Sequence, residues 1–424
     1  MLKKEIIIYI EKIGHNGISI GRYKSKIVFV HGGLPEEKVK IRILKNKRNY
    51  YEGEILEILE KSPFRKNPLE DHYLSCSPWQ VFDYNYQINL KKNLLLEIYR
   101  TFAKEEIELL DFLPSPLVFE YRTKIEFSFF KNKNLYLAFH KRGSRFGKVI
   151  LEKGCALIDK TSNQVALEFL KKINNLNFKN PKYLIIRRSI NYNDRHLSFL
   201  VTKKDFLEFK NENLTGFVLA LSDFKSPAAN YDEVLFSWGQ EFLREKILDF
   251  EFKYPYDSFF QNNVFLFEEV LKIMNQNIGP VNKLVDLYAG VGVIGICFKN
   301  KAKNIISVES NKKAVEYAKI NAKINGLSNF EAFNLSVEKI PESFLYQTDL
   351  LILDPPRSGL SKKVINLILK TKPKFIFYLS CNPISQARDF LLLKENYKID
   401  KIFGFDFYPN TPHLESLLLL SKIS

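Results

Sequence analysis

The sequence predicts an α/β protein whose C-terminal part is a doubly wound, Rossmann-like sheet, preceded by a small N-terminal β-barrel and a central α+β domain. Three observations carry this reading. From about residue 255, apolar strand runs alternate with amphipathic helices, the rhythm of a parallel sheet covered on both faces. Residues 5–60 hold short β-rich runs broken by Gly14, Gly17, Gly21 and the Gly32-Gly33 pair, the pattern of a small barrel. Between the two, Ser62-Pro63-Phe64-Arg65 and Pro68 mark a connector, because proline cannot continue a strand ladder. The expected domains are 1–60, 61–254 and 255–424, in line with 424 residues at roughly 150 per domain.

Each element follows from its local pattern. In the barrel, residues 6–10 and 26–30 read as strands, and Lys38, Lys40 and Arg42 alternate with Val39, Ile41 and Ile43 to give one basic and one apolar face. That basic face reads either as a solvated edge or as a contact for RNA. Leu90, Leu94, Leu95, Ile98 and Phe102 give residues 84–104 a helical period. Residues 121–150 carry eight basic side chains (Arg122, Lys124, Lys131, Lys133, Lys141, Arg142, Arg145, Lys148) against the single acid Glu126, interleaved with Tyr121, Phe127, Phe129, Phe130, Tyr136, Phe139 and Phe146. This composition suits a surface that neutralises phosphates and offers rings to unstacked bases, although many of the rings must be strand core. The C-terminal order is strand 283–287, helix, strand 305–309, helix 312–325, strand 330–334, strand 350–353, helix 362–370, strand 375–380, helix 385–393 and a terminal strand 415–421.

Composition narrows the function class. A formal net charge of +16 favours a polyanionic partner, nucleic acid first. Four cysteines without a CxxC pair make neither a disulfide framework nor a complete zinc site, so a reducing cytoplasm is expected. The apolar run at 6–10 is too short for a signal segment, and no stretch of about 18 uncharged apolar residues follows, so no membrane partner is expected.

The chemistry gathers at strand ends. Val285-Asp286-Leu287-Tyr288-Ala289-Gly290-Val291-Gly292 stands where a strand becomes a helix, and its glycines let the backbone approach a nucleotide cofactor. Glu309, 19 residues after Gly290, ends the next strand, placed to accept the two ribose hydroxyls. This much suits NAD or S-adenosylmethionine. Asp286 and the rigid strand end Leu353-Asp354-Pro355-Pro356-Arg357 favour a methyltransferase over a dehydrogenase. A further strand runs into Cys381-Asn382-Pro383, which exposes a cysteine at the same edge, whereas Cys297 sits inside an apolar helix as an inert core residue. Methylation of uracil C5 needs one cysteine to add at C6 and one base to remove the C5 proton. Cys381 supplies the first. Glu415, in Tyr408-Pro409-Asn410-Thr411-Pro412-His413-Leu414-Glu415, is the preferred base, with His413 as a hydrogen-bonding support.

The ordered set DLYAGVG, VES, LDPPRSGL, YLSCNP and PNTPHLE resembles the RNA uracil-C5-methyltransferase family over almost the whole chain. Gly17, Gly21, Phe29-Val30, Leu34-Pro35, Glu37 and Ser62-Pro63-Phe64-Arg65 are similar to the family's TRAM barrel, and Tyr121-Arg122-Thr123-Lys124 with Phe139-His140-Lys141-Arg142 to its central RNA-contacting domain. The resemblance implies transfer of a methyl group from S-adenosylmethionine to a uridine of 23S rRNA or tRNA, giving 5-methyluridine, by a protein expected to act as a monomer. It implies Cys381 as nucleophile and Glu415 as base. Phe259-Phe260-Gln261-Asn262-Asn263 resembles the family's glutamine-bearing stretch, so Gln261, Tyr288, Glu309, Asn334 and Asp354 are the expected cofactor contacts. Val293 stands where some members carry asparagine. Many members also bind a 4Fe-4S cluster through four cysteines. Cys76 and Cys155 resemble two of them, but Asn67 and Tyr73 fall where the others would be, so no metal or iron–sulfur cluster is expected and Cys76 and Cys155 read as relic or packing residues. The rival readings are an RNA cytosine-C5-methyltransferase, which usually carries a Pro-Cys pair absent from Asp354-Pro355-Pro356-Arg357, an amino-group methyltransferase, which leaves Cys381 without a role, and a non-catalytic RNA chaperone.

Overall fold

The computed structural model describes residues 4–142, 144, 147–223, 225–226 and 230–423, and the chain begins with a closed barrel. Strands β1 (Glu5–Ile13), β2 (Ser19–Tyr23), β3 (Lys26–Val30), β4 (Lys38–Asn46) and β5 (Tyr50–Glu60) run in the order β1-β2-β3-β5-β4, and pairing of β1 with β4 closes the ring. Every second residue points inward, so Ile6, Ile8, Ile10, Val28, Val39 and Ile41 fill the interior. The basic face of β4 is present but already paired: Lys40 meets Glu5 at 2.8 Å, Arg42 meets Glu54 at 3.1 Å and Lys38 meets Glu60 at 3.0 Å. These pairs support a solvated face, since their charges cancel locally, but β4 is not the edge strand expected, because it pairs with both β1 and β5.

After the connector come the short α1 (Tyr73–Cys76) and α2 (Tyr84–Ile98), which Asp83 caps by accepting from the Asn85 and Tyr86 amides. A π turn, Tyr99–Ala103, follows, and the chain then forms β6 (Asp111–Leu113). Leu94, Leu95 and Ile98 pack with Phe390 and Leu418, and β6 pairs parallel with a strand at residues 403–405. The expected unit 61–254 is therefore shared between two sheets: the apolar stripe of α2 covers the C-terminal sheet, and β6 caps that sheet's edge.

The central sheet holds β7 (Lys124–Lys131), β8 (Leu135–His140), β9 (Lys148–Ile150), β10 (Pro181–Arg188), β11 (Arg195–Val201), β12 (Gly216–Leu221) and β13 (Glu233–Gly239), in the order β13-β12-β11-β10-β7-β8-β9. Between β9 and β10, α3 (Lys160–Asn175) buries Val165, Ala166, Phe169 and Ile173 among Phe199 and Phe217 of the sheet. Of the aromatic residues in 121–150, Tyr121 and Phe127 are buried core, which removes those two from RNA stacking, while Phe129 and Phe139 are partly buried and pack against it; Arg145 and Phe146 lie outside the described residues. A hairpin, β14 (Phe242–Ile247) with β15 (Phe250–Pro255), leads onward.

The C-terminal part runs α4 (Val264–Gln276), β16 (Val281–Leu287), α5 (Val293–Cys297), β17 (Ala302–Glu309), α6 (Lys312–Ile324), β18 (Phe330–Asn334), β19 (Leu350–Leu353), α7 (Lys362–Thr371), β20 (Phe375–Ser380), α8 (Pro383–Leu393), β21 (Tyr397–Phe405) and β22 (Glu415–Lys422). Strand order is β18-β17-β16-β19-β20-β22-β21-β6, with an apolar core on each face. The sheet is not parallel throughout, as the strand and helix rhythm predicts. β22 runs antiparallel to both β20 and β21: α8 carries the chain from β20 to β21, and the loop 406–414 then returns it between the two without a crossover helix. No helix among the described residues is long and apolar enough to cross a membrane.

Candidate active site

At the carboxyl end of β16 the backbone turns sharply. Tyr288, Gly290 and Gly292 all take positive φ, at 64°, 55° and 83°, and a side chain at Gly292 would press on Ala318 and Phe330 at 3.2 Å. This turn brings the Gly290 amide to Glu309 Oε2 at 3.1 Å, while Glu309 Oε1 accepts from the Asn311 amide at 2.7 Å and the Ser310 hydroxyl at 3.0 Å. The Glu309 carboxylate is thereby fixed at the end of β17. Asp286 accepts from the Gly295 amide at 3.0 Å, and its burial pushes the carboxyl up to about 8.

The reactive groups meet through strand register. Ser380 of β20 pairs with Ser416 of antiparallel β22, so Cys381 and Glu415, one step beyond, face each other across the sheet's carboxyl edge. Both line a cavity of about 610 Å³ together with Gln261, Tyr288, Glu309 and Asp354. Its size suits a nucleoside-bearing cofactor and a base side by side. Burial, then the neighbouring Asp354 carboxylate, pushes Glu415 up to about 8, against the opposing pull of Arg357. Burial alone pushes Asp354 up to about 7. The Cys381 thiol rises to about 11 through burial and then the Glu415 and Asp354 charges, while the Arg357 guanidinium pulls the other way.

Arg357 is held by its backbone: its carbonyl accepts from Asn382 Nδ2 at 2.8 Å and the Ser385 hydroxyl at 3.1 Å. Asp389, buried at the start of the same network, accepts from the Leu360 amide at 2.7 Å and the Tyr378 hydroxyl at 2.8 Å, and Arg388 reaches the Ser358 carbonyl at 2.8 Å. The Arg388-Asp389 pair thus locks the Asp354-Pro355-Pro356-Arg357 turn against the helix that follows Cys381. On the opposite wall, the Thr123 hydroxyl donates to the Gln261 carbonyl at 2.9 Å and the Thr123 amide to the Asn262 carbonyl at 3.1 Å, which joins the central sheet to the cavity. Asn410, at φ 62°, is anchored by Gln87 at 3.0 Å and holds the turn between Tyr408 and Glu415. The barrel reaches the same turn, since a side chain at Gly17 would collide with Pro412.

Six of the seven residues singled out from the sequence line the cavity. Asn334 does not: its amide donates to the Ser310 carbonyl at 2.8 Å and the Glu309 carbonyl at 3.2 Å, bracing the strand end from outside. In its stead Ser336, Val337 and Glu338 form that wall, as loops after parallel strands do. Phe259, Arg357 and Tyr408 also line the cavity, although sequence reasoning assigned them no role; each adjoins a stretch that was singled out. His413 does not line it, and burial and then Arg357 push its imidazole down to about 4.

Cys76 and Cys155 lie apart from this cavity. Rather than isolated packing residues, they meet Glu70 and His72, with one ligand atom of each of the four within 4.8 Å of every other. Two thiols, an imidazole and a carboxylate do not make the all-thiolate set that a 4Fe-4S cluster takes.

Residues 83–423 match the tRNA (uracil-5-)-methyltransferase family, and residues 1–56 match the TRAM domain. An RNA methyltransferase of Caldanaerobacter subterraneus, described as uncharacterized, is 31% identical with full coverage of both chains. Another from Nanoarchaeum equitans, described in the same way, is 30% identical over 98% of this chain and 93% of its own. Among solved structures, the Pyrococcus abyssi tRNA (uracil-54, C5)-methyltransferase, crystallised with S-adenosyl-L-homocysteine, shares the fold with a TM-score of 0.78, at 23% identity, over 98% of this chain and 100% of that one. With 341 of its residues inside the family match and a barrel of the TRAM type in front, the chain belongs to the tRNA (uracil-5-)-methyltransferase family and is an RNA methyltransferase.

Proposed function

We propose that this protein transfers a methyl group from S-adenosylmethionine to C5 of a uridine in tRNA or ribosomal RNA, using Cys381 as nucleophile and Glu415 as base. The observation that carries the reading is the register of β20 and β22, which sets a thiol and a carboxyl on facing strand ends inside one cavity. S-adenosylmethionine supplies an electrophilic methyl on a sulfonium. Glu309, held by three donors, is the residue for its ribose hydroxyls, with Gln261, Tyr288 and Asp354 as further contacts.

Uracil C5 is too poor a nucleophile to accept that methyl unaided. Addition of the Cys381 thiolate to C6 moves electron density onto C5 and O4, and C5 then attacks the methyl as the methyl–sulfur bond breaks, its electron pair returning to sulfur and S-adenosylhomocysteine leaving. Glu415 removes the C5 proton, and the electron pair restores the C5–C6 double bond as the Cys381 thiolate leaves. Burial and two carboxylates hold the resting thiol protonated, and Arg357 is the neighbouring group that favours the thiolate once a base displaces water. The target base must leave its stack, at a cost of roughly a few kcal/mol offset by contacts along the RNA.

Tritium release from tRNA and ribosomal RNA labelled at uridine C5, with a parallel cytidine-C5 label, tests the reading. Release from uridine that is lost in Cys381→Ala is the expected result. Release from the cytidine label, or release that persists in the variant, overturns it.

A further inference from the structure

We propose that Glu70, His72, Cys76 and Cys155 form a site for a single zinc-class divalent cation, which clips the barrel connector to the central sheet. One ligand atom from each lies within 4.8 Å of the other three. Tetrahedral zinc with bonds of about 2.0–2.3 Å separates its donors by roughly 3.3–3.8 Å, so about 1 Å of tightening by side-chain rotation closes the shell. Two thiolates, an imidazole and a carboxylate are the soft and borderline donors that select zinc over magnesium or calcium.

Three features point to a built site. His72 is 9% exposed and Cys155 1%, so water is largely excluded from the cluster. His72 Nε2 approaches Glu70 Oε1 at 3.2 Å yet makes no hydrogen bond, leaving a buried ring nitrogen unpartnered within the donor set. The Glu70 carboxylate is oriented by groups around it: the Ala156 amide donates at 2.6 Å and Gln80 Nε2 at 3.1 Å, and the Ser77 hydroxyl in turn receives Gln80 at 2.7 Å. Such outer contacts fix a ligand before the cation arrives. The His72 ring also meets the edge of Phe139 of β8, with centroids 5.9 Å apart.

The position explains what a cation there would do. Glu70, His72 and Cys76 belong to the connector after the barrel, whereas Cys155 opens the loop that receives the Arg122 amide on the Leu157 carbonyl at 3.0 Å and the Glu120 amide on the Ala156 carbonyl at 2.8 Å. Arg122 stands over the ring of Tyr408, a wall of the reaction cavity. One bound cation therefore ties the connector to the chain segment that reaches the cleft. Binding releases the two thiol protons and needs no oxidant or reductant.

Cobalt(II) is the probe. The full-length protein, prepared reduced and stripped by chelator, is titrated with Co²⁺ and then Zn²⁺. The expected result is saturation at one equivalent, with a thiolate-to-cobalt charge-transfer band and the intense visible bands of a tetrahedral ion, both erased by zinc. His72→Asn and Cys76→Ser weaken binding by more than about a hundredfold, beyond what loss of an orienting group alone causes. Circular dichroism of each variant establishes that it is folded, and chelation lowers the wild-type melting temperature without any variant. Iron with inorganic sulfide in the protein as isolated, a Cys76–Cys155 disulfide under reducing conditions, or no saturable binding by the wild type would each overturn the proposal.

Discussion

Cys381 and Cys76 occupy opposite electrostatic environments within one chain. Cys381 shares its cavity with two carboxylates, and burial followed by their charges pushes its thiol up to about 11. Cys76 has the Cys155 thiol and the His72 imidazole beside it, and these outweigh burial to hold it below the usual thiol range. The proposed nucleophile is thus not the more acidic of the two thiols. In the proposed mechanism the cysteine at the strand end is held protonated until a substrate changes its surroundings, while the proposed cation site would take the connector cysteine as a thiolate.

The largest effect expected from breaking this contrast is at Cys381. Cys381→Ala leaves no detectable methyl transfer, while calorimetry records S-adenosylmethionine binding within about twofold of wild type, because the proposed mechanism gives the thiol a bond to the base and no contact with the ribose. Glu415→Gln lowers turnover by about 10²–10⁴-fold, the range for loss of a general base, and lets the C6 adduct accumulate on denaturing gels.

Protonation gives the next effect. Glu415 must lose its proton to act as base, and its carboxyl sits at about 8, so tritium release at limiting RNA rises with pH through that value. The effect on stability has the opposite direction. A carboxyl whose folded-state value is raised stabilises fully below the ordinary carboxylate range, and that contribution is lost as pH rises through about 8. Glu415→Gln therefore raises the melting temperature more at alkaline than at mildly acidic pH, by on the order of 1–3 kcal/mol of stability. A pH-independent difference between variant and wild type in calorimetric scans would break this assignment.

Salt and a control cysteine complete the series. RNA affinity falls by at least about tenfold between roughly 50 and 200 mM salt if the net positive surface contacts phosphates, and filter binding reads it directly. Cys297→Ala, in the buried helix α5, changes stability by about 1 kcal/mol in chemical denaturation and leaves turnover intact.

What the sequence revealed depended on how local its causes were. Strands at 330–334, 350–353 and 375–380 are found where their apolar runs put them, because fully buried parallel strands are written as continuous hydrophobic stretches. The placement of Cys381 followed from its address after such a strand. Antiparallel β21 was not legible, since Lys398, Asp400 and Lys401 interrupt its apolar residues and its burial is completed by β6 from residues 111–113. The charge balance of 121–150 was legible, but the fate of Tyr121 and Phe127 was decided by α3 packing from a later segment. Asn334 was expected inside the cavity and instead braces its rim, a difference of one strand-end step. Glu70 and His72 carried a signal, the Glu-x-His spacing four residues before Cys76, which gains meaning only when the fold brings in Cys155 from 79 residues away.

The pairing of Cys381 with Glu415 is tested most directly with RNA carrying 5-fluorouridine. Fluorine at C5 cannot be removed as a proton, so methylation by the covalent route stalls with the base still bonded to sulfur. The expected result is a stable one-to-one adduct whose digested peptide carries a methylated 5-fluorouridine on Cys381, formed only when S-adenosylmethionine is present. Methyl transfer without any adduct, or an adduct mapped to another residue, would contradict the account.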